Sequence, residues 1–190
     1  MTTAEHDHPK AAPDELDLIR LFVNTYDVEE KKDSLTDPAV TAAWFAEHEL
    51  LPPGESLTTE DVRQARAMRE AFRKLLLAHT GRSLDPDAVD AVNAAAKSAE
   101  LVVRFETDGD ARLAPVRPGI DGALGHLVAI AYRAMECGTW ERLKACADPT
   151  CEWAFYDWSK NHSGAWCDMA VCGNRAKARA FRERRSGSAA

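Results

Sequence analysis

Four cysteines constrain the fold of this 190-residue chain more than any other feature. Four residues separate Cys146 from Cys151, four separate Cys167 from Cys172, and fifteen lie between the two pairs. Two short turns that each carry a pair of thiolates can surround a zinc ion tetrahedrally, with Zn–S distances of about 2.3 Å. The spacing therefore predicts one structural Zn²⁺ bound by Cys146, Cys151, Cys167 and Cys172.

Other roles for these residues remain open at this point. The four cysteines could be unrelated core thiols, although their confinement to residues 146–172 in two symmetric pairs favours a metal site. His162, between the pairs, could compete as a ligand, but four thiolates already fill a tetrahedron, so we expect a turn residue. Cys137 stands outside the cluster, and we expect a thiol in a helix core. A site closed by four thiolates leaves no position for substrate, which predicts a structural role and no enzyme activity.

The residues between the cysteine pairs predict a small β-hairpin. Residues 153–157 and 165–166 are apolar and strand-like, and residues 161–164 have the composition of a turn. A first cysteine turn, a hairpin and a second cysteine turn that opens a helix form the layout of a treble-clef finger. A helix is predicted from Asn174 onward, with Asn174 at or near its N-cap.

The chain before the cysteines is predicted to be mostly helical. Helix starts are marked by capping residues, two of them followed by proline: Asp37, Thr58, Asp85 and Asp121. Residues 101–106 and 112–116 alternate as strands around a turn at Asp108–Gly109. On the helix that begins at Asp85, Val89, Val92 and Ala96 are expected to face inward. These patterns predict an α+β fold, with a flexible tail at 1–13, a helical and hairpin domain at 14–138, and a zinc finger at 139–186.

The charge of the chain is distributed unevenly. The formal net charge of −7 argues against a protein that coats nucleic acid with its whole surface. From Trp140 onward, however, nine Lys and Arg residues face six Asp and Glu residues, whereas the remainder holds 15 basic and 25 acidic residues. Any attraction for phosphate must therefore come from the C-terminal fifty residues.

Most of that positive charge lies on the predicted C-terminal helix. The candidate nucleic-acid contacts are Arg175, Lys177, Arg179, Arg182, Arg184 and Arg185. Arginine suits this role because its planar fork binds both guanine edges and phosphate oxygens. Zn²⁺ with four thiolates carries a charge of −2, which one or two cations would balance, and Arg175 is the cation most suited to that local role. A solvated helical tail is the remaining interpretation.

Four residues of the N-terminal part are candidate ligand contacts. Asn24, Thr25, Trp44 and Arg69 are polar or aromatic, and they could line a small-molecule pocket. The alternative assigns Asn24 to hydrogen bonding at a helix end, Trp44 to the core and Arg69 to a solvated helix face.

The residues that close the cysteine arrangement also resemble a known family. Cys172-Gly173-Asn174-Arg175 is similar to the signature of the CGNR zinc finger, and residues 146–185 carry that family's pattern nearly end to end. Residues 21–27 and the helix around Trp44-Phe45 resemble the ABATE domain that usually precedes this finger. The resemblance implies a bacterial transcription regulator linked to stress, in which the finger binds DNA and the N-terminal domain senses a signal.

Together these features favour a DNA-binding transcription regulator with an N-terminal sensing or dimerisation domain. The expected partners are duplex DNA, a small-molecule effector and a second copy of the chain. The alternative is a zinc-stabilised protein-interaction module that does not bind DNA directly. The first fifteen residues lack the pattern of a secretion signal, and the apolar stretch at 123–134 is too short to span a bilayer, so we expect a cytoplasmic protein.

Overall fold

The computed structural model describes residues 10–187, with side chains up to residue 184. Within that range the chain forms six α-helices and three two-stranded antiparallel sheets. The helices are α1 (Leu16–Val23), α2 (Pro38–Glu47), α3 (Thr59–Ala78), α4 (Pro86–Ser98), α5 (Gly119–Glu136) and α6 (Asn174–Gly187). The strands are β1 (Tyr26–Asp27), β2 (Lys32–Asp33), β3 (Val102–Phe105), β4 (Ala111–Ala114), β5 (Leu143–Ala145) and β6 (Ala154–Tyr156). This architecture confirms the predicted α+β class.

Three of the four predicted helix starts are confirmed. Asp37 and Asp85 accept hydrogen bonds from backbone N–H groups of α2 and α4, and proline occupies the next position in both cases. Thr58 and Asp61 form a reciprocal capping box at α3, which satisfies two backbone donors at once. The fourth prediction is wrong: α5 begins at Gly119, and Asp121 lies in its first turn, where it accepts a hydrogen bond from Gln64 of α3 at 2.8 Å.

One apolar core joins the helices to the strands of the cysteine region. Its largest buried side chains include Phe22 of α1, Phe45 of α2 and Phe72 of α3. Leu143 of β5 and Tyr156 of β6 belong to the same cluster. The finger therefore packs directly against the helical region.

The predicted hairpin forms as β3 and β4, with Val102 paired to Ala114 and Phe105 paired to Ala111. The strand β3 is exposed along its whole length, and Phe105 reaches 79% exposure. On α4, Val89, Val92 and Ala96 are partly buried, and Val92 and Ala96 pack against the apolar core, as predicted. Ala99, the residue after α4, is fully buried because Gly125 lets α5 approach closely: a Cβ at Gly125 would lie 2.3 Å from the Cβ of Ala99.

The predicted N-terminal tail is only partly covered by the structure. Residues 1–9 lie outside the described residues, but residues 10–13 dock on the finger. The carbonyl of Lys10 accepts a hydrogen bond from the N–H of Tyr156 at 3.0 Å, and the carbonyl of Ala11 accepts one from Trp158 Nε1 at 2.9 Å. Nothing in the sequence indicated these backbone contacts with the finger, and the flexibility of the tail stays a prediction. No helix in the described part of the chain is long and apolar enough to cross a membrane.

A four-cysteine metal centre and its basic helix

The four predicted ligands converge at one point. The Sγ atoms of Cys146, Cys151, Cys167 and Cys172 all lie within 4.8 Å of one another. The Sγ atom of Cys167 is 3.6 Å from that of Cys151 and 3.8 Å from that of Cys172. A tetrahedron with Zn–S bonds of about 2.3 Å has S–S edges of about 3.8 Å, so these distances match a ZnS₄ site.

The pKa values of the clustered thiols also indicate a site for a cation. Hydrogen bonds from Cys151 and Cys167 lower the pKa of Cys146 to about 2. Hydrogen bonding to Cys146 raises the pKa of both Cys151 and Cys167 well above the usual range, and burial and the negative charge of Cys146 add to the effect. A divalent cation removes this repulsion and allows all four groups to bind as thiolates. The donor set therefore fits one structural zinc ion.

The first cysteine pair lies in the turn between β5 and β6. The two strands pair antiparallel, with Leu143 opposite Tyr156 and Ala145 opposite Ala154. This corrects the predicted hairpin, in which residues 153–157 paired with 165–166. The segment at 165–166 is not a strand, although the carbonyl of Ala165 accepts a hydrogen bond from the N–H of Ala147.

A buried ion pair fixes the loop that follows β6. Lys144 Nζ donates to Asp157 Oδ2 at 2.9 Å and to the carbonyls of His162 and Gly164 at 2.6 and 3.0 Å. Asp157 also accepts hydrogen bonds from the N–H groups of Ser159 and Gly164. Burial opposes the charge on Asp157, but these hydrogen bonds prevail and hold its pKa below the usual range. His162 is an exposed turn residue with a positive φ of 51°, as predicted.

Asp168 caps the backbone turn that carries the second cysteine pair. Its carboxylate accepts hydrogen bonds from the N–H groups of Ala170 and Val171, which cap a π-helical turn at Met169–Gly173. Asn174, predicted at or near the N-cap, already has helical dihedrals, and its Nδ2 donates to the carbonyl of Ala170 at 2.8 Å. The helix α6 therefore begins at Asn174 as predicted, but the side chain that caps the turn before it is that of Asp168, one residue after Cys167.

Arg175 connects the metal site to the N-terminal region. It donates two hydrogen bonds to the carboxylate of Glu29, at 2.7 and 3.0 Å, and one to Cys172 Sγ at 3.3 Å. Its Nε lies 3.2 Å from Asp148 Oδ2, an ion-pair contact without hydrogen-bond geometry. Hydrogen bonding to Glu29 and then to Cys172 raises the pKa of Arg175 above its already high value. This cation therefore has a local structural role.

The remaining cations of α6 lie in two kinds of environment. Arg179 turns toward the protein, with its Nη2 3.3 Å from Asp148 Oδ1. The side chains of Lys177, Arg182 and Arg184 are exposed to solvent. The side chain of Arg185 lies outside the described residues. The described cations among those predicted to contact nucleic acid thus fall into an inward pair, Arg175 and Arg179, and an outward group, Lys177, Arg182 and Arg184.

Asn24 and Thr25, two of the candidate ligand contacts, are engaged within the protein. Asn24 pairs with both backbone groups of Ala154 in β6: Nδ2 donates at 2.9 Å, and Oδ1 accepts at 2.7 Å. Thr25 is buried and donates to the carbonyl of Phe22 at 2.7 Å. Both side chains therefore stabilise the helical region and its contact with the finger.

Trp44 and Arg69, the other two candidates, are packed as well. Trp44 contacts Phe45 edge-on and lies against the ring of His48 in a tilted arrangement. Arg69 is buried and forms a bidentate ion pair with Asp33, at 2.7 and 3.1 Å, so the interpretation as a solvated helix face is wrong. Two surface clefts of about 390 and 420 Å³ lie instead along α2 and at the start of α3.

Several residues that organise the site were not predicted. Glu29 and Asp148 hold Arg175, and Arg73 of α3 reaches the carbonyl of Glu152 between the first cysteine pair and β6. Asp148 lies between Cys146 and Cys151, and its position beside a metal ligand was the one available signal. Cys137 is exposed, so the prediction of a core thiol is wrong.

A four-thiolate centre between a β-hairpin and a basic helix defines a zinc finger, and residues 142–185 match the family model of the CGNR zinc finger. Residues 16–138 match the ABATE family model, which is described as "Putative stress-induced transcription regulator". Because this second match covers more than half of the chain, the protein belongs to the ABATE family. A comparison with curated proteins found no match.

Proposed function

We propose that the protein is a cytoplasmic transcription regulator that binds duplex DNA through the outward face of α6. The observation that carries the proposal is the exposure of Lys177, Arg182 and Arg184 on a helix anchored to the zinc site. Exposed cations on a rigid helix can reach phosphate oxygens without disturbing the metal ligands. The family description agrees with this role.

The number of cations supports the proposal further. Residues 173–185 contain six Lys and Arg residues and one Glu. A ZnS₄ centre with charge −2 is already accompanied by Arg175 at Cys172, and Arg179 faces Asp148. The outward cations exceed what the metal site needs, and this excess favours a polyanionic partner.

A single finger with this charge would bind DNA weakly and with strong salt dependence. A second copy would double the phosphate contacts and set the spacing of two half-sites. The N-terminal region would then supply dimerisation or sensing, and the cleft of about 390 Å³ beside α2 is a place where a small effector could bind.

Fluorescence anisotropy of the zinc-loaded protein with labelled duplex DNA tests the proposal. In Lys177→Gln plus Arg184→Gln, we expect weaker binding at every salt concentration. The plot of log K against log salt should become shallower, by about 0.9 for each phosphate that the variant no longer neutralises. Lys97→Gln plus Arg104→Gln removes the same charge from exposed sites on α4 and β3, and we expect it to have little effect. An equal weakening of binding in both double variants would contradict the assignment of α6.

A second candidate function, a protein-interaction module, is favoured by the exposed hairpin. Val103, Phe105 and Leu113 lie on one face of the β3–β4 pair, and Val103 and Phe105 are 61% and 79% exposed. Apolar clusters of this kind are typical of protein interfaces. Sedimentation velocity of the intact protein and of Val103→Ser plus Phe105→Ser tests self-association through this face. A dimer that dissociates in the variant supports it, and a monomer in both cases contradicts it.

A further inference from the structure

The contact between Glu29 and Arg175 joins regions that are far apart in sequence. Glu29 lies on the loop between β1 and β2, and Arg175 lies in the first turn of α6. Both carboxylate oxygens of Glu29 accept hydrogen bonds from the two terminal nitrogens of the guanidinium. Arginine binds carboxylates and phosphates in this same forked geometry. The Glu29 carboxylate therefore occupies a position that a phosphate group could take.

The two acidic partners of Arg175 differ in accessibility. Asp148 is fully buried, whereas the Glu29 side chain is 51% exposed and that of Arg175 is 32% exposed. An ion pair exposed to this degree is held weakly, because water and salt screen it. A phosphate could replace Glu29 while Asp148 continues to hold Nε in place.

The loop that carries Glu29 is fixed by α3. Asp33 of β2 is held by Arg69 and Arg66, and the carbonyl of Tyr26 in β1 accepts a hydrogen bond from Arg73. The position of Glu29 is thus set by the N-terminal region and not by the finger. A shift of α3 relative to α6 would move the carboxylate away from Arg175.

We propose that Arg175, with Arg179 one turn further along α6, forms a phosphate-binding position that Glu29 occupies in the free protein. The N-terminal region then competes with nucleic acid for the finger and lowers its affinity. This inference rests on the proposed function, because the phosphate is taken to belong to the DNA backbone.

Glu29→Gln tests the inference, with Glu30→Gln as the matched control. Both changes remove one negative charge from the same exposed loop, but it is the Glu29 carboxylate that pairs with Arg175. In anisotropy titrations of the zinc-loaded protein, we expect Glu29→Gln to bind duplex DNA about threefold more tightly than Glu30→Gln. Its salt slope should be steeper by about 0.9, the value of one added phosphate contact. Equal affinities and slopes in the two variants would overturn the inference.

Inorganic phosphate separates this inference from the proposed function. Its binding can be followed without DNA through the Arg175 Nε–H signal in a ¹H–¹⁵N spectrum of each zinc-loaded variant. We expect that signal to reach its midpoint at a lower phosphate concentration in Glu29→Gln than in Glu30→Gln. If no variant binds DNA but this difference is present, the phosphate position stands and the proposed function is wrong. If the two midpoints coincide, the inference itself is wrong.

Discussion

The helical region and the finger achieve stability by different means. The helical region has a large apolar core, with fully buried side chains such as Phe22, Phe72 and Leu124. The second cluster, at the metal site, contains only four buried residues, Cys146, Phe155, Cys167 and Cys172. A cluster this small buries too little apolar surface to fold alone, so the finger depends on its metal. Burial thus stabilises the helical region and the β5 and β6 strands that join its core, whereas coordination stabilises the cysteine turns.

The two regions are nevertheless coupled along a continuous contact. Asn24 pairs with β6, Arg73 reaches the carbonyl of Glu152, and His79 Nδ1 donates to the carbonyl of Leu143 at 2.7 Å. These three hydrogen bonds connect α3, or the residue after α1 or α3, to β5, to β6 and to the turn between them that carries the first cysteine pair. Loss of the metal should therefore also weaken the helical region.

Zinc removal is expected to have the largest effect. Binding of a structural zinc contributes on the order of 10 kcal/mol to folding, so chelation or Cys167→Ser should unfold the finger. Because the regions share a core, the melting temperature of the helical signal in circular dichroism should fall as well. Cys137→Ser is the matched control, since Cys137 is exposed and outside the cluster; it should retain one zinc per chain and an unchanged melting curve. A helical signal that melts at the same temperature with and without zinc would mean that the regions fold independently.

Arg73→Met is expected to have the next largest effect. The Arg73 side chain is 2% exposed, and it donates to the carbonyls of Val23, Tyr26 and Glu152. Replacement leaves one buried and two partly buried carbonyls without their donor and Glu70 without its partner Arg73 Nε, and we expect the free energy of unfolding to fall by about 3 kcal/mol. Arg63→Met, on the exposed face of the same helix, should change it by less than about 0.5 kcal/mol. Urea denaturation of the zinc-loaded proteins measures both values, and similar values would show that Arg73 does not hold the two regions together.

Asn24→Ala should lower the free energy of unfolding by a smaller amount, through the contact between the helical region and β6. The substitution removes two hydrogen bonds to the backbone of Ala154, which is fully buried. Unpaired buried groups cost about 1–3 kcal/mol, and we expect a decrease in stability in that range. Asn93→Ala on the exposed side of α4 is the control, with an expected change close to zero. A decrease for Asn24→Ala no greater than that of the control would show that the pairing with β6 is dispensable.

The difference between the regions also explains what the sequence could predict. The zinc ligands were predictable because cysteine spacing is a local pattern with one chemical meaning. The caps at Asp37, Thr58 and Asp85 were predictable for the same reason, since each acts within four residues. The class of the fold followed from these local signals together with the periodicity of the strands.

The contacts that depend on tertiary structure could not be predicted in this way. Glu29 and Arg175 are 146 positions apart, and nothing near either residue indicates the other. Asp121 has the local pattern of a cap, but its carboxylate accepts a hydrogen bond from Gln64 of α3. Arg69 has the spacing of a solvated face, yet the position of Asp33 made it a buried ion pair. Polar residues of this kind acquire their roles from the packing of elements and not from neighbouring sequence.

The smallest expected effect is the pH dependence of stability that comes from His79, at the contact between the helical region and β5. Burial lowers the pKa of His79, although the hydrogen bond to the carbonyl of Leu143 acts in the opposite direction. Because the unfolded state then binds more protons below about pH 6.5, the free energy of unfolding should decrease as the pH falls through this region. His79→Gln keeps a side-chain donor but does not titrate, so its stability should decline less between pH 7.5 and pH 5.5 in urea denaturation. The pKa of His126 is also lowered, and its contribution remains in both proteins, so the difference between the two declines isolates His79. Identical declines would mean that His79 is accessible to protons in the folded state and that the boundary opens near α3 without unfolding.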